Sequence, residues 1–339
     1  MKERVRARAL ELGFDECRFT TAKPPASATQ FKQWLAQERH GQMEYLARNA
    51  AKRADLGLVL RGVRSVVLLA ASYFHPDDES PPPGHGLIAR YACYPDYHQL
   101  LAEPLGELSR FIDQLGGAGT RSLGYVDTGP VLERDLAQRA GVGFIGKHTN
   151  LINRRLGNWI FLAEILTTLP LAPDPEERNR CGHCTRCLAA CPTQAIRGPF
   201  ELDARLCISY LTIELRGSIP MELRPAIGLR VFGCDDCLEV CPWNRFARQG
   251  RIMREGRRRD LQLRDLVDLL ELDEAGFRTR FRSTPLWRTK RNGLRRNVCV
   301  ALGNLADSRA RPALQRAAAD ADPIVAEHAR WALARLVGG

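Results

Sequence analysis

The stretch Cys181-Gly-His-Cys184-Thr-Arg-Cys187-Leu-Ala-Ala-Cys191-Pro192 decides how the middle of this chain folds. Its C-x2-C-x2-C-x3-C-P spacing is the one that binds a cubane [4Fe–4S] cluster. Three thiolates with two residues between successive cysteines can surround three irons of one cube, whereas the longer step to Cys191 and the proline turn the chain away. The spacing therefore predicts an iron–sulfur module that moves electrons.

A second cysteine run, Cys234-Asp-Asp-Cys237-Leu-Glu-Val-Cys241-Pro242, is one member short, and we expect Cys207 to supply the missing ligand. In two-cluster units the fourth cysteine of each run binds the cluster of the other run. We therefore predict two sets of four ligands: Cys181, Cys184, Cys187 and Cys241 for one cluster, and Cys191, Cys207, Cys234 and Cys237 for the other.

Two structural zinc sites are the alternative, because C-x2-C pairs also bind zinc. Zinc sites rarely use three cysteines in tandem x2 steps followed by x3-Cys-Pro, so the spacing favours clusters. We expect Cys17, Cys93 and Cys299, which lie in apolar or strand-like stretches, to be ordinary buried residues. The opening Met1-Lys2-Glu3-Arg4 has no signal-peptide pattern, so we expect a cytoplasmic protein in a reducing compartment.

Length and hydrophobicity indicate an ordinary globular protein. A chain of 339 residues suggests two or three domains, and 45% hydrophobic residues can bury a sizeable core. The longest apolar run, Ser65–Ser72, is too short to span a bilayer and predicts a buried strand. We therefore expect no membrane association.

The net charge of +11 lies almost entirely after Arg245. Between Glu274 and Asp307 the chain has eight basic residues and no acidic one. Such a stretch can be a solvated surface, but its one-sidedness and its interleaved aromatic residues favour a polyanion-binding patch. The candidate nucleic-acid contacts are Arg288, Lys290, Arg291, Arg295 and Arg296.

Sequence periodicity divides the chain into three parts. Helical segments (4–12, 28–39, 98–115, 131–140) alternate with strand-like ones (14–21, 63–72, 122–126, 149–152, 159–166), which predicts an α/β domain, an α+β sandwich, over residues 1–177. The cysteine-bearing module spans 178–245. In the basic region 246–339, residues 295–305 align with 326–336 at an offset of 31, which predicts HEAT-like helical repeats.

Asp127 is the candidate for chemistry in the α/β domain. A predicted strand ends at this residue, and Thr128-Gly129-Pro130 then turns into a helix with Pro130 near its first position. A carboxyl there can donate a proton if burial raises its pKa, whereas the alternative is a helix-capping aspartate. The nearby glycines at 141, 143 and 146 fit G-x-G-x-x-G as a string, but they follow a helix, which is the wrong context for a dinucleotide site.

Several further stretches carry a resemblance to one family. They are Arg90-Tyr-Ala, Asp96-Tyr-His98, Val126-Asp-Thr-Gly129, Leu132-Glu-Arg134, Ala140-Gly-Val-Gly-Phe-Ile-Gly-Lys147, Cys207-Ile-Ser-Tyr-Leu-Thr-Ile-Glu214 and Gly233-Cys-Asp-Asp-Cys-Leu-Glu-Val-Cys-Pro-Trp-Asn244. Together with the cysteine spacing, they make the chain resemble the epoxyqueuosine reductases. These cobalamin-dependent iron–sulfur enzymes perform the last step of queuosine synthesis in tRNA.

The resemblance implies a cobalamin-binding α/β domain, a ferredoxin-like module with two [4Fe–4S] clusters and C-terminal helical repeats that bind tRNA. It further implies that Asp127 is the proton donor, and that Arg53, Lys147, Leu151 and Ser209 line the corrinoid. Some family members have a cysteine in the segment where this chain reads Ala89-Arg90-Tyr91, and Cys93 is out of register with it. We therefore expect no essential cysteine nucleophile here.

The chain lacks the D-x-H-x-x-G signature of histidine-ligated corrinoids, since Asp96-Tyr-His98-Gln-Leu-Leu101 has no glycine at its end. We therefore expect base-off cobalamin. An external low-potential donor such as a flavodoxin or ferredoxin would reduce it, and we expect the enzyme to be a monomer. The alternatives are a cobalamin-dependent reductive dehalogenase, a ferredoxin-type electron carrier and a non-enzymatic nucleic-acid-binding protein with structural clusters. An export signal would favour the first, and failure to bind a corrinoid would favour the other two.

Overall fold

A four-stranded antiparallel sheet organises the N-terminal part of the chain. The computed structural model describes residues 1–76, 85–254, 256–262 and 265–336. The strands before the cysteine runs are Glu16–Thr21 (β1), Ser65–Ser72 (β2), Leu87–Ile88 (β3), Ser122–Tyr125 (β4), Phe144–Ile145 (β5), Leu151–Ile152 (β6) and Ile160–Thr167 (β7). The sheet has the order β1-β2-β7-β4, and β5 pairs with β6.

Helices cover both faces of this sheet. They are Lys2–Glu11 (α1), Ala28–Ala36 (α2), Glu44–Arg48 (α3), Ala50–Ala54 (α4), Tyr97–Gly116 (α5) and Glu133–Arg139 (α6). Strand β2 is buried throughout because Val67 packs in one apolar layer with Leu108 of α5, and Leu68 packs in the other with Leu136 of α6. A strand buried on both faces reads as a continuous apolar run. The predicted mixed α/β fold of this part is confirmed.

The cysteine-bearing module consists of short elements joined by turns. Its helices are Arg186–Ala190 (α7), Ile208–Ile213 (α8), Arg224–Ile227 (α9) and Asp236–Glu239 (α10), and its strands are Ile196–Gly198 (β8), Glu201–Leu202 (β9) and Arg230–Phe232 (β10). Strand β10 pairs in parallel with β3 of the N-terminal part. This pairing fixes the module against the α/β layers.

The C-terminal part is helical, as predicted. It contains Arg259–Gln262 (α11), Leu266–Glu271 (α12), Glu274–Phe281 (α13), Lys290–Leu305 (α14), Arg311–Ala318 (α15) and Pro323–Arg335 (α16). Helix α14 packs closely on α16, because a Cβ atom on Gly303 would stand 2.6 Å from Trp331 and 2.9 Å from the Cα of Ala332. The two segments that align in sequence therefore touch each other. Across the described residues, no helix is long and apolar enough to cross a membrane.

Candidate active site and cluster-binding module

One cavity of about 710 Å³ opens where the three parts of the chain meet. Tyr97 and Asp127 line it from the α/β part, Ser209 from the cysteine module, and Trp287 and Arg288 from the C-terminal helices. Pockets of this size with aromatic and apolar walls and a few polar groups bind cofactors and small molecules. The junction is therefore the candidate active site.

The seven cysteines of the two runs, together with Cys207, fall into two sets that cross between the runs. Besides burial, the thiols that raise the pKa of Cys237 are those of Cys207, Cys234 and Cys191. Those that raise the pKa of Cys187, again besides burial, are Cys181 and Cys241. Each run thus sends its last cysteine, Cys191 or Cys241, into the other set.

The environment of these thiols suits binding to iron. Burial raises the pKa of Cys207, Cys234 and Cys241, so ionisation needs a strong positive partner. Within the described residues, no three or more His, Cys, Asp and Glu side chains converge closely enough to hold a single metal ion. In a cubane each thiolate binds a different iron, and four thiols per set are the number that a [4Fe–4S] cluster requires.

Only one of the two sets faces the cavity. Its wall includes all four thiols of the set Cys191, Cys207, Cys234 and Cys237, and none of the set around Cys181. We call the first the inner set and the second the outer set. An electron that enters at the outer set has the inner set between it and the cavity.

Asp127 lies on the cavity wall in a constrained backbone conformation. Its φ of +59° is in the left-handed region that aspartate tolerates better than most residues. The Tyr97 hydroxyl donates a hydrogen bond of 2.7 Å to Asp127 Oδ2, and His98 Nε2 stands 3.8 Å from the same oxygen. Burial first, and then the Asp127 carboxylate, hold the pKa of Tyr97 far above its usual range, so Tyr97 remains a donor. Asp127 itself is 47% exposed, so the deep burial considered from its sequence context is absent.

Two details of the turn after Asp127 differ from the sequence expectation. Helix α6 begins at Glu133 with Leu132 as its N-cap, so Pro130 lies before the helix rather than in its first turn. Asp127 is therefore no helix cap. The turn is held instead by Arg53, whose Nη1 donates to the carbonyl oxygens of Gly129 at 3.3 Å and Val131 at 2.7 Å.

The four expected corrinoid-lining residues divide into two groups. Leu151 and Ser209 lie in the cavity wall. Arg53 is 8% exposed and supports the Asp127 turn from behind, and Lys147 donates a 2.9 Å hydrogen bond from Nζ to the Cys184 carbonyl beside the outer set. Neither of these two cations is part of the cavity wall. That Arg53 and Lys147 line the corrinoid stays a prediction; both side chains bind backbone carbonyls beside the cavity.

Two glutamates stand behind Asp127. Glu133 is half-buried in the cavity wall, where desolvation and the Asp127 carboxylate raise its pKa to about 7. Glu164 in β7 is 0% exposed, and burial, followed by Glu133, raises its pKa well above the usual range. Sequence reasoning missed both residues, although a single acid inside the apolar strand IFLAEILT is a signal for Glu164. It also missed the role of Tyr97, which only tertiary structure brings to Asp127.

The basic patch is only partly a surface. Arg296 is 2% exposed and donates to the carbonyls of Leu211, Leu215 and Gly217, and burial lowers its pKa to about 10. Arg295 is 7% exposed and donates to the Leu270 carbonyl. The prediction that these two arginines contact nucleic acid is wrong in this fold, because their donors are used inside the protein.

The other three predicted nucleic-acid contacts remain candidates. Arg288 is 44% exposed at the cavity, with Nη2 at 2.9 Å from Glu214 Oε1. Lys290 is exposed, and its Nζ stands 5.2 Å from the ring centre of Trp287. Arg291 is half-buried and donates from Nε to the Leu272 carbonyl. The exposed candidates for nucleic-acid contact therefore lie at the start of α14 and beside the cavity.

Two cluster-type cysteine sets beside a cavity with a held carboxylate define the class: an iron–sulfur oxidoreductase. Residues 180–244 match the family model "4Fe-4S double cluster binding domain", and residues 53–128 match the model "Epoxyqueuosine reductase QueG, DUF1730". The chain is 41% identical to an epoxyqueuosine reductase of Xanthomonas campestris pv. campestris, over 98% of this chain and 95% of that protein. The chain belongs to the epoxyqueuosine reductase family, which confirms the resemblance.

Solved structures agree with this assignment. The structure of epoxyqueuosine reductase from Streptococcus thermophilus matches with a TM-score of 0.92 at 31% identity, over 100% of this chain and 91% of that one. An epoxyqueuosine reductase crystallised with an epoxyqueuosine-modified tRNA stem loop matches with a TM-score of 0.89 at 31% identity, over 99% and 90% of the two chains. The double-cluster module and the mixed fold are therefore properties of this chain.

The crossing of the cysteine sets can be tested with two double variants. Cys181→Ser/Cys241→Ser removes two ligands of the outer set only, so we expect the reconstituted protein to keep one unaltered cluster with about four irons. Cys234→Ser/Cys241→Ser removes two ligands from the same run but from different sets, so it should alter both clusters. Iron analysis and electron paramagnetic resonance of the reduced proteins distinguish the two. An unaltered cluster in the second variant would contradict the crossing.

We expect Arg296→Leu to destabilise the protein by roughly 2–4 kcal/mol, because one buried and two partly buried carbonyls lose their donor. Arg288→Ala is the matched control, since a half-exposed ion pair contributes less than about 1 kcal/mol. Thermal or denaturant unfolding of the cluster-loaded proteins measures both. If Arg296→Leu is as stable as the wild type, Arg296 does not stabilise the interior and is again a candidate surface residue.

Proposed function

We propose that this chain reduces epoxyqueuosine to queuosine at the wobble position of tRNA, the last step of queuosine synthesis. The observation that carries the proposal is the cavity that Asp127, the inner cysteine set and Arg288 share. In this cavity a proton donor, the cysteine set from which electrons reach the substrate, and a cation all face the same space. Membership of the epoxyqueuosine reductase family supports the same reaction.

Asp127 acts as the proton donor to the departing epoxide oxygen. The hydrogen bond from Tyr97 fixes Oδ2, and the stacking of Tyr97 on Phe161, with ring centres 4.3 Å apart, holds the tyrosine in turn. Arg53 supports the turn that carries Asp127 by binding the Gly129 and Val131 carbonyls. This arrangement supports a carboxyl that is held in one orientation at the cavity wall.

Cobalamin is the cofactor that we assign to the cavity, in its base-off form. Leu151, Ser209 and the aromatic ring of Phe161 would hold it against the inner cysteine set, since all three belong to the cavity wall. When bound, cobalamin and the two clusters supply low-potential electrons one at a time. The residues of the chain orient the substrate, exclude water and provide protons.

The tRNA binds across the C-terminal helices, which we interpret as HEAT-like repeats, with domain limits near 177 and 245. Arg288 and Lys290 offer cations to the phosphates close to the cavity mouth, where Trp287 offers an aromatic face. The wobble nucleoside has to leave the stacked anticodon to enter the cavity. We further propose a cytoplasmic monomer that receives electrons at the outer set from a flavodoxin or ferredoxin.

Reconstitution with iron, sulfide and cobalamin under anaerobic conditions tests the cofactor assignment. We expect about eight irons per chain, together with tight retention of cobalamin and a visible spectrum with base-off bands. A chain that takes up clusters but no corrinoid would contradict the reductase assignment and leave an electron carrier or a non-enzymatic nucleic-acid binder.

Asp127→Asn should lower the rate of queuosine formation on epoxyqueuosine-containing tRNA by about 10²–10⁴-fold, because the amide cannot donate the proton. The fold, iron content and tRNA affinity should stay at wild-type values, since Asp127 is half-exposed. Asp268→Asn, an exposed carboxylate of α12, is the matched control with unchanged turnover. Wild-type turnover by Asp127→Asn would remove Asp127 from the chemistry without touching the cofactor assignment.

A further inference from the structure

The proposed reaction requires more protons than Asp127 can hold. Conversion of an epoxide to an alkene consumes two electrons and two protons, breaks both C–O bonds, forms the C=C bond and releases the oxygen as water. Both protons end on the same oxygen atom. One carboxyl carries one proton at a time, so Asp127 has to be reprotonated within each turnover. A nucleoside in the cavity covers the face through which solvent reaches Asp127.

Two carboxyl groups lie close to Asp127: that of Glu133 is half-buried, and that of Glu164 is fully buried. Glu133 shares the cavity wall with Asp127. Glu164 lies beneath the turn that follows Asp127, because a Cβ atom on Gly129 would stand 3.0 Å from Glu164 Oε1 and 2.7 Å from the ring of Tyr125. Among the described residues, neither carboxyl oxygen of Glu164 has a hydrogen-bond partner. A fully buried carboxylate without partners is costly, whereas a neutral carboxylic acid is tolerated.

The charges around these groups favour protonated carboxyls. The groups that act on Glu133 and Glu164 are the Asp127 carboxylate, the buried guanidinium of Arg53 and, for Glu133 only, Arg134. Arg53 directs Nη1 to backbone carbonyls rather than to either glutamate. Burial therefore prevails: it raises the pKa of Glu133 to about 7 and holds the pKa of Glu164 well above its usual range.

We propose that Glu133 and Glu164 form a proton reserve that recharges Asp127 during each turnover. Asp127 gives its proton to the epoxide oxygen, Glu133 passes its proton to the Asp127 carboxylate, and Asp127 delivers it to the same oxygen. Glu164 then reprotonates Glu133, and solvent restores the protons of Asp127 and Glu164 after the product leaves, so that two protons enter for the two that leave in water. The two electrons come from the external one-electron donor of the proposed function, on which this inference rests. Both glutamates act through Asp127 and are positioning residues.

Single-turnover kinetics of the reduced holoenzyme on an epoxyqueuosine-containing stem loop test the reserve. In the wild type the rate should fall as the pH rises through about 7, since Glu133 then loses its proton. Glu133→Gln should lower the rate about 10- to 100-fold and abolish this dependence on pH. Glu133→Asp, which keeps a carboxyl group, should restore part of the rate and of its dependence on pH. Glu164→Gln should keep the single-turnover rate and its dependence on pH but lower the rate of repeated turnovers, because Glu164 recharges Glu133 only after both protons have been delivered. Glu103→Gln, an exposed carboxylate of α5, is the matched control.

Infrared spectroscopy provides a readout that is independent of turnover. The purified chain should show the C=O stretch of protonated carboxylic acids at neutral pH, shifted in D₂O and weakened in Glu164→Gln, with the part that remains belonging to Glu133. Iron content and circular dichroism of each variant verify that it folds and binds its clusters.

The outcomes separate the two proposals. If the wild type forms no queuosine, the proposed function fails. If the wild type is active and Asp127→Asn is not, but Glu133→Gln keeps the wild-type single-turnover rate and dependence on pH and Glu164→Gln keeps the wild-type rate of repeated turnovers, the reserve alone is wrong. An infrared spectrum without a protonated carboxylic acid at neutral pH overturns the reserve as well.

Discussion

The exchange of one cysteine between the two runs is the constraint on which the rest of the structure depends. Cys191 leaves the first run to join Cys207, Cys234 and Cys237, and Cys241 makes the reverse crossing. Each cluster therefore ties together segments that are far apart in sequence, as a structural metal does in small domains. Because the inner set also forms a wall of the cavity, the exchange fixes the distance between electron supply and substrate pocket.

The polar groups around Asp127 trade stability for chemistry. Among the described residues, the Nε of the buried Arg53 and both carboxyl oxygens of Glu164 have no hydrogen-bond partner, which costs free energy that an apolar core would not. Strongly shifted pKa values of this kind are concentrated at functional sites. The Asp127 turn reaches the cavity only because Gly129 leaves room for Tyr125 and Glu164. The left-handed backbone at Asp127 and the buried ionisable groups around it therefore belong to one local arrangement.

Sequence alone predicted what depends on local spacing and missed what depends on burial. The cysteine sets and the strand Ser65–Ser72 follow from patterns of a few residues. The structure has this strand, and it brings together thiols from both runs. The counted charges of Arg295 and Arg296 said nothing about exposure. Every residue of α14 from Leu294 to Gly303 is buried, because this helix is surrounded by others, and a helix buried on all sides has no polar face to present. The contact between Tyr97 and Asp127 spans thirty residues and has no local signal.

The buried centre of α14 has a consequence for how the parts of the enzyme cooperate. Arg296 holds the carbonyls at the end of α8, and Asn297 donates to the carbonyls of Thr212 and Val231 at 2.8 and 2.9 Å. Helix α8 follows Cys207 directly, and β10 ends two residues before Cys234. The basic helices therefore brace two ligand segments of the inner set. Because Lys290 and Arg291 begin the same helix, a polyanion bound at its exposed start contacts the element that supports the inner cluster and the cavity wall.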